Sequence, residues 1–361
     1  MAKHVQKLRN LINHMNIDGI LIKSKTMKKY LDTLTGSGVL VLITKDEGYL
    51  ILDGRYVEEA KTKEKDFCII ENTEAKSHKS HFKVIEEIFK KFNYSKLGIE
   101  GNSFSILEYE DLKSYDFKVS LMGQELNEVR IIKDKDEIAV IKEGCKITDE
   151  IFNNVIKHIK VGISENEINA LVHYYSLKAG ASKLSFDPVI TSGPRTALPH
   201  GRPTNRKVEN HEGIMIDFGI EYKNYQSDMT RMIFLGQPTE KIKNIYETVK
   251  KAQQAGIDSI KARIKARDVD NIVRNIIEDH GYGQYFNHGL GHGIGIGDGS
   301  EYPMLNQSSK AILEDNMIMS CEPGIYVPNL GGVRIEDDVL IENEVGVPLN
   351  NTTKEIIILE A

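Results

Sequence analysis

Ile214-Met215-Ile216-Asp217-Phe218-Gly219-Ile220 reads as an apolar β-strand with one carboxylate at its centre, and Tyr225-Gln226-Ser227-Asp228-Met229-Thr230-Arg231-Met232-Ile233-Phe234 reads as a second strand carrying another. A turn centred on Tyr222-Lys223 would join them as a symmetric hairpin. In that register opposed residue numbers sum to 445, which sets Asp217 across from Asp228 at about 5 Å. Two carboxylates that close are unstable unless they share a proton or a bridging cation. The hairpin therefore makes this part of the chain an antiparallel sheet and marks a candidate cation site on it.

A second hairpin repeats the device. Met317-Ile318-Met319-Ser320-Cys321-Glu322-Pro323-Gly324 leads to the turn Pro328-Asn329-Leu330-Gly331-Gly332 and returns as Val333-Arg334-Ile335-Glu336-Asp337-Asp338-Val339. Centred on Asn329, it opposes Glu322 to Glu336, and Arg334 shares a face with Glu336 by strand period. Asp337 and Asp338 are expected to be solvated charges at the strand end, and Cys321 a small packing residue. From Asn287 to Ser300 glycine takes every second position between Gly289 and Gly299, with His288 and His292 at one end. A bare face of this kind admits another backbone or a ligand at close range. The spacing lacks G-x-G-x-x-G followed by a helix, which disfavours a dinucleotide site. Four carboxylates and an imidazole suit Mn²⁺, Co²⁺ or Zn²⁺. Four negative charges match two divalent cations, which together can activate a water and clamp a carbonyl.

Around these strands the chain carries helical patterns. Asp134-Lys135-Asp136-Glu137 opens a long helix with Ile138, Ile141, Cys145, Thr148, Phe152, Val155 and Ile159 on one face and Gly162 as its stop. Ser164-Glu165-Asn166-Glu167 is a capping box for a second, which Gly180 stops. A third follows Thr239, and a fourth is expected from the cap Asp268 to Gly281. Residues 127–361 thus read as α+β, helices outside a curved antiparallel sheet. Before them, strand-like runs at Ile20–Ile22, Val39–Thr44, Tyr49–Leu52, Phe67–Ile70, Leu97–Ile99 and Phe117–Leu121 alternate with helical ones at Phe82–Phe92 and Phe104–Leu112, which predicts a smaller α/β domain over residues 1–126. A length of 361 residues suits two cores better than one. With 47 basic and 53 acidic residues the net charge is −6, so no basic field draws nucleic acid. Three scattered cysteines argue for a reducing, cytoplasmic setting, and no apolar segment is long enough for a membrane.

Six motifs then occur in order: Ala197-Leu198-Pro199-His200-Gly201, Ile216–Gly219, Ser227–Arg231, His288–Gly295, Glu322–Tyr326 and Val333–Asp337. Together they resemble the pita-bread metallopeptidases, in particular the proline-directed branch of Xaa-Pro aminopeptidases and Xaa-Pro dipeptidases (prolidases). Tyr30-Leu31, Gly36-Ser37-Gly38 and Asp53-Gly54-Arg55-Tyr56 extend the resemblance into the first domain, which would be of the creatinase type. The resemblance implies two divalent metal ions, Mn²⁺ first, with Co²⁺ and Zn²⁺ as alternatives. Asp217 would chelate one, His292 and Glu322 the other, and Asp228 and Glu336 would bridge them. Glu322 would also be the acid–base group for the attacking water. His200 and His288 would contact the substrate carbonyl, and Arg334 would orient Glu336 or the bridging carboxylates. It further implies short proline-containing peptides as substrates and a homodimer.

The family's glycine-rich motif normally ends in a third histidine, where this chain has Gly299, or Ser300 if one residue is inserted. The leading expectation is an Xaa-Pro aminopeptidase; Xaa-Pro dipeptidase is the alternative within the family. A non-catalytic binding module on the same fold is the alternative outside it. His211, in the charged loop Glu209-Asn210-His211-Glu212, is read as having no role.

Overall fold

The computed structural model describes residues 2–63, 66–72, 78–297 and 300–360. It divides into two compact units, Met1–Arg130 and Ile131–Ala361. The division lies in the last turn of the helix Gln124–Ile131, four residues after the expected boundary at Leu126.

The first unit is built on a six-stranded mixed sheet of β1 (Gly19–Ile22), β2 (Val39–Thr44), β3 (Gly48–Leu52), β4 (Cys68–Glu71), β5 (Lys96–Glu100) and β6 (Lys118–Met122), in the order β4-β3-β2-β1-β5-β6. Every residue of β2 is buried, as a central strand covered on both faces requires. Phe82, Ile85 and Phe89 of the helix His78–Phe92 pack there with Leu40, Leu42 and Leu97. The run Val-Leu-Val-Leu-Ile-Thr is thus a strand because helices cover it.

The second unit contains β7 (Lys183–Leu184), β8 (Val189–Ser192), β9 (Gly213–Phe218), β10 (Ile220–Tyr222), β11 (Tyr225–Gln226), β12 (Met229–Leu235), β13 (Gly291–Gly293), β14 (Glu301–Leu305), β15 (Ile318–Cys321), β16 (Gly324–Val327), β17 (Gly331–Arg334), β18 (Asp337–Glu342), β19 (Val345–Pro348) and β20 (Ile357–Leu359). They pair as β20-β12-β9-β8, β14-β13-β15-β18-β19, β11-β10-β7 and β16-β17. Helices Lys135–Val155 and Glu165–Lys178 border the core that buries Phe152, Ile168 and Val172 with Ile214, Ile216 and Phe218. Helices Glu240–Ser259 and Ala266–Asp279 border the other, around Val249, Val273, Met319 and Val339. Asp134 and Ser164 each form both halves of a capping box. The first helix stops at Val155, well before Gly162, in a 3₁₀ turn over Ile156–His158. The fourth starts at Ala266, so Asp268 lies in its first turn and is not its cap.

The first hairpin is shifted from the symmetric register. Thr230 stands opposite Asp217, and Tyr225 opposite Tyr222, so partners sum to 447. The cause is the turn: Lys223 and Asn224 both have positive φ, 48° and 73°, the conformation of a two-residue type I′ turn. The turn is centred one residue later than Tyr222-Lys223. Asp228 consequently faces Gly219, with Asp217 diagonal to it on the same face. The second hairpin keeps its expected register. Cys321 pairs with Asp337 and Gly324 with Arg334, both summing to 658, so Glu322 and Glu336 lie opposite each other in the break between two ladders. Pro323, which has no N–H to donate, stands in that break. The freed backbone groups are used elsewhere: Glu322 N–H donates to the Leu290 carbonyl and Glu336 N–H to that of Thr230.

Candidate active site

Strand alternation sorts the acids. Asp217, Asp228 and Thr230 lie on one face of the first hairpin and Arg231 on the other. Arg334, Glu336 and Asp338 likewise share a face, with Asp337 opposite. Carboxylate oxygens of Asp217, Asp228 and Glu336 come within 4.8 Å of one another, and all three residues are buried. His292 Nε2 lies 3.8 Å from Asp228 Oδ2 and 3.6 Å from Glu322 Oε1. The structure thus brings together all five residues expected to hold metal.

Their surroundings are those of a site built for cations. Asp217 Oδ1, Asp228 Oδ1 and Glu336 Oε1 are buried oxygens with no hydrogen-bond partner, one from each acid of the cluster. A native fold seldom leaves such atoms unsatisfied. Burial pushes the carboxyls of Asp228 and Glu336 well above the ordinary range, with Glu336 raising Asp228 further and Glu322 raising Glu336. Burial also raises Asp217, although the charge of Arg334 opposes it. His292 Nδ1 faces the Gly293 carbonyl at 3.1 Å and must donate there, which leaves the Nε2 lone pair toward the acids. Separations of 3.6–3.8 Å are too long for a hydrogen bond. They are close to the roughly 3.4 Å between two ligand atoms about 2.1 Å from one tetrahedral cation. The donors present fit divalent metal.

Arg334 is buried and contacts Asp217 directly. It reaches Glu336 only through Thr230, whose hydroxyl accepts from Arg334 Nε at 3.1 Å and donates to Glu336 Oε2 at 2.6 Å. Arg334 therefore orients Asp217 first, not Glu336. His288 Nδ1 donates to the Gly289 carbonyl at 2.7 Å, so its Nε2 accepts from the Tyr326 hydroxyl at 2.9 Å. Burial lowers the His288 pKa, consistent with this neutral ring. Tyr326 in turn accepts from Arg334 Nη1 at 2.8 Å, and burial pushes its hydroxyl up to about 12. His200, exposed on the loop after the 3₁₀ turn Gly193–Ala197, lines the same pocket. The pocket has a volume of about 440 Å³.

Thr230, Tyr326 and Ser320 were not singled out from the sequence. Ser320 Oγ accepts the His292 N–H at 3.0 Å and donates to Glu322 Oε1 at 3.1 Å. Period-two spacing from Asp228 to Thr230 and from Ser320 to Glu322 carried the signal. Asp337 and Asp338 are the reverse case. Both are buried and neither is a solvated strand-end charge. Asp337 pairs with Arg231 at 2.6 Å, and Asp338 accepts the Asp228 N–H at 2.9 Å. Burial raises the Asp338 carboxyl to about 8.

The glycine face next to His292 is occupied by protein. A Cβ on Gly291 would clash with the Ser320 carbonyl, on Gly293 with that of Tyr302, and on Gly295 with the Glu301 carboxylate. These glycines let strands close around His292, and do not hold a cradle open for peptide. Gly299 lies outside the described residues, and Ser300 lines the pocket. Gly219 has a similar task, since a Cβ there would run into the Ser227 carbonyl across from it. Gly219→Ala is expected to cost about 1–3 kcal/mol by overpacking and to displace Asp228. A lowered denaturant midpoint together with weakened Mn²⁺ binding would register both effects.

Residues 139–343 match the family model for metallopeptidase family M24, which spans every residue of the cluster. The chain belongs to metallopeptidase family M24. Residues 4–132 match the Creatinase/Prolidase N-terminal domain, so this M24 metallopeptidase has the creatinase-type first domain and the pita-bread α+β second domain. It is 36% identical to the Xaa-Pro dipeptidase of Pyrococcus furiosus, over 99% of this chain and 100% of that one. A solved Xaa-Pro dipeptidase from Bacillus anthracis superposes with a TM-score of 0.93 at 35% identity, covering 99% of both chains. The X-Pro aminopeptidase of Thermotoga maritima superposes at 0.88 with 31% identity, covering 95% of this chain and 98% of that one. Among the described residues of the M24 chain, no helix is long and apolar enough to cross a membrane.

Proposed function

We propose that this M24 metallopeptidase is an Xaa-Pro dipeptidase using two divalent cations. The observation that carries the metal assignment is the convergence of three buried, partnerless carboxylate oxygens, from Asp217, Asp228 and Glu336, beside the Nε2 of His292. Asp217 would hold one cation and His292 and Glu322 the other, with Asp228 and Glu336 available to both. Oxygen-rich donors with one imidazole favour Mn²⁺, then Co²⁺ or Zn²⁺. Bound there, the cations would polarise the scissile carbonyl and lower the pKa of the attacking water.

The chain's own groups supply the rest. Glu322, held through Ser320, takes the proton of the attacking water and returns it to the leaving proline nitrogen. His200, on its loop at the pocket, donates to the scissile carbonyl. The His288 Nε2 accepts from the Tyr326 hydroxyl and carries no proton, so His288 would donate to that carbonyl only as the imidazolium, with Tyr326 kept in place by Arg334. Arg334 fixes Asp217 and, through Thr230, Glu336. The aminopeptidase expectation gives way to the dipeptidase one on the relatives: the Pyrococcus and Bacillus anthracis dipeptidases match this chain more closely than the Thermotoga aminopeptidase does.

With Mn²⁺ or Co²⁺ supplied, the protein is expected to hydrolyse Ala-Pro in preference to Ala-Pro-Ala and to leave Met-Ala-Ser intact. Cleavage of Met-Ala-Ser alone would remove the proline assignment. A preference for the tripeptide would restore the aminopeptidase.

A further inference from the structure

Helix Ala266–Asp279 carries a buried ion pair that the chemistry above does not use. Asp270 is fully buried, and Arg274, one turn later, meets it with two bonds of 3.0 Å, Nε to Oδ2 and Nη2 to Oδ1. A buried carboxylate is tolerated only with such partners. The other hydrogen bonds of the pair leave the helix. Arg274 Nη1 donates to the Phe286 carbonyl and Nη2 to the His288 carbonyl, both at 2.9 Å. Asp270 Oδ1 accepts the Leu290 N–H at 3.0 Å. The planar guanidinium also lies over the Phe286 ring, 4.3 Å from its centroid.

Residues 286, 288 and 290 are alternate positions of the segment between the 3₁₀ turn Gly283–Tyr285 and β13. A neighbouring strand would bond alternate residues in this way, and here two side chains of one helix do so. They hold His288 by its own carbonyl and by the residue its ring packs on, since the Phe286 and His288 rings meet edge to face at 5.0 Å. Leu290 carries the restraint onward. Its N–H is held by Asp270, and its carbonyl accepts the Glu322 N–H at 2.9 Å. His288 and Glu322, which both line the pocket, thus hang from one short segment that Asp270 and Arg274 fix.

We infer that Asp270 and Arg274 are positioning residues for hydrolysis, setting His288 against Glu322 for its contact with the scissile carbonyl. Their role rests on the Xaa-Pro dipeptidase reading, in which His288 meets that carbonyl and Glu322 moves the proton. Neither is among the described residues that line the pocket, so both act through the backbone they hold. A misplacement of about 1 Å in a group of this kind can cost up to about a hundredfold in rate. The loss falls on kcat and not on KM where the contact strengthens only in the transition state.

The test compares wild type, Arg274→Lys, and Asp270→Asn combined with Arg274→Met, each saturated with Mn²⁺, on Ala-Pro, with rates expressed per bound Mn²⁺. Arg274→Lys keeps the charge beside Asp270 and loses the planar fork. The combined variant removes the fork without leaving a buried charge unpaired. Both retain an oxygen at position 270 for the Leu290 N–H. Each is expected to lower kcat about tenfold, with KM changed by less than about twofold. Introduced together with His288→Ala, the same changes should cost less than about twofold in kcat, because the group they position is gone. Variants that lose stability but keep the wild-type kcat per bound Mn²⁺ would overturn the positioning role and leave the dipeptidase reading standing. The same holds if the loss is equal with and without the His288 side chain. Wild type that leaves Ala-Pro intact overturns the dipeptidase reading and this inference with it.

Discussion

Asp228→Ala and Glu336→Ala protein, equilibrated with Mn²⁺ and then freed of excess, should retain far less metal than wild type and lose at least about a thousandfold in kcat/KM, or about 4 kcal/mol of transition-state stabilisation. The proposed role makes both cations depend on these two acids, so one truncation should disturb both. Elemental analysis of the purified proteins reads the metal, and Ala-Pro hydrolysis reads the activity. Either variant with wild-type turnover would remove the two-cation assignment. The same acids predict an effect of opposite sign on the metal-free protein. Burial and mutual repulsion raise the Asp228 carboxyl, so folding works against its charge. Asp228→Asn removes that charge with little change of shape, and the metal-free variant should unfold at a higher denaturant concentration than metal-free wild type. Added Mn²⁺ should stabilise wild type and leave Asp228→Asn nearly unmoved, because only a state that binds the cation is stabilised by it.

The acids at issue were legible in the sequence because a carboxylate inside Ile-Met-Ile-Asp-Phe has no solvent to turn to, and because strand period places Arg334 on the face of Glu336. Their mutual placement was less so. The first hairpin slips to a sum of 447 because Lys223 and Asn224 both adopt positive φ, which a lysine does not announce. That slip matters: it moves Asp228 from facing Asp217 to facing Gly219, whose missing side chain leaves room for the Ser227 carbonyl. Asp337 and Asp338 were misread for a related reason. Consecutive acids look like a solvated end, but alternation sends one to each face, and each face holds a buried partner, Arg231 for Asp337 and the Asp228 N–H for Asp338. The glycines near His292 declared close approach without declaring what approaches, and the strands fill that space.

Arg231→Met and Asp337→Asn should each destabilise the protein by about 3–5 kcal/mol, the cost of leaving one member of a buried ion pair uncompensated. Both side chains are 1% exposed. Arg231 also donates to the carbonyls of Glu336 at 2.5 Å and Thr352 at 2.7 Å, tying β12 to β18 and to the segment before β20. Asp337 accepts from Gln253 at 2.9 Å and pairs with Lys354 at 3.1 Å. Burial by itself would raise its carboxyl, but the charges of Arg231 and Lys354 prevail and hold it below the ordinary range. A carboxyl lowered on folding stabilises above its unfolded pKa of about 3.9, and that contribution disappears as pH falls through the lower folded value. Asp337→Asn should therefore differ most from wild type at neutral pH, with the gap narrowing below about pH 4. Because Arg231 and Asp337 touch, Arg231→Met combined with Asp337→Asn should cost less than the sum of the single changes, by about 1–3 kcal/mol. Denaturant unfolding of the four proteins measures this coupling. Strict additivity would mean that the pair does not hold β12 to β18. The fold needs that connection for function as well, since Glu336 lies beside Asp337 and its own N–H donates to Thr230, next to Arg231. Loss of the pair on the far face should thus weaken Mn²⁺ binding on the near one, although neither residue is expected to touch the metal.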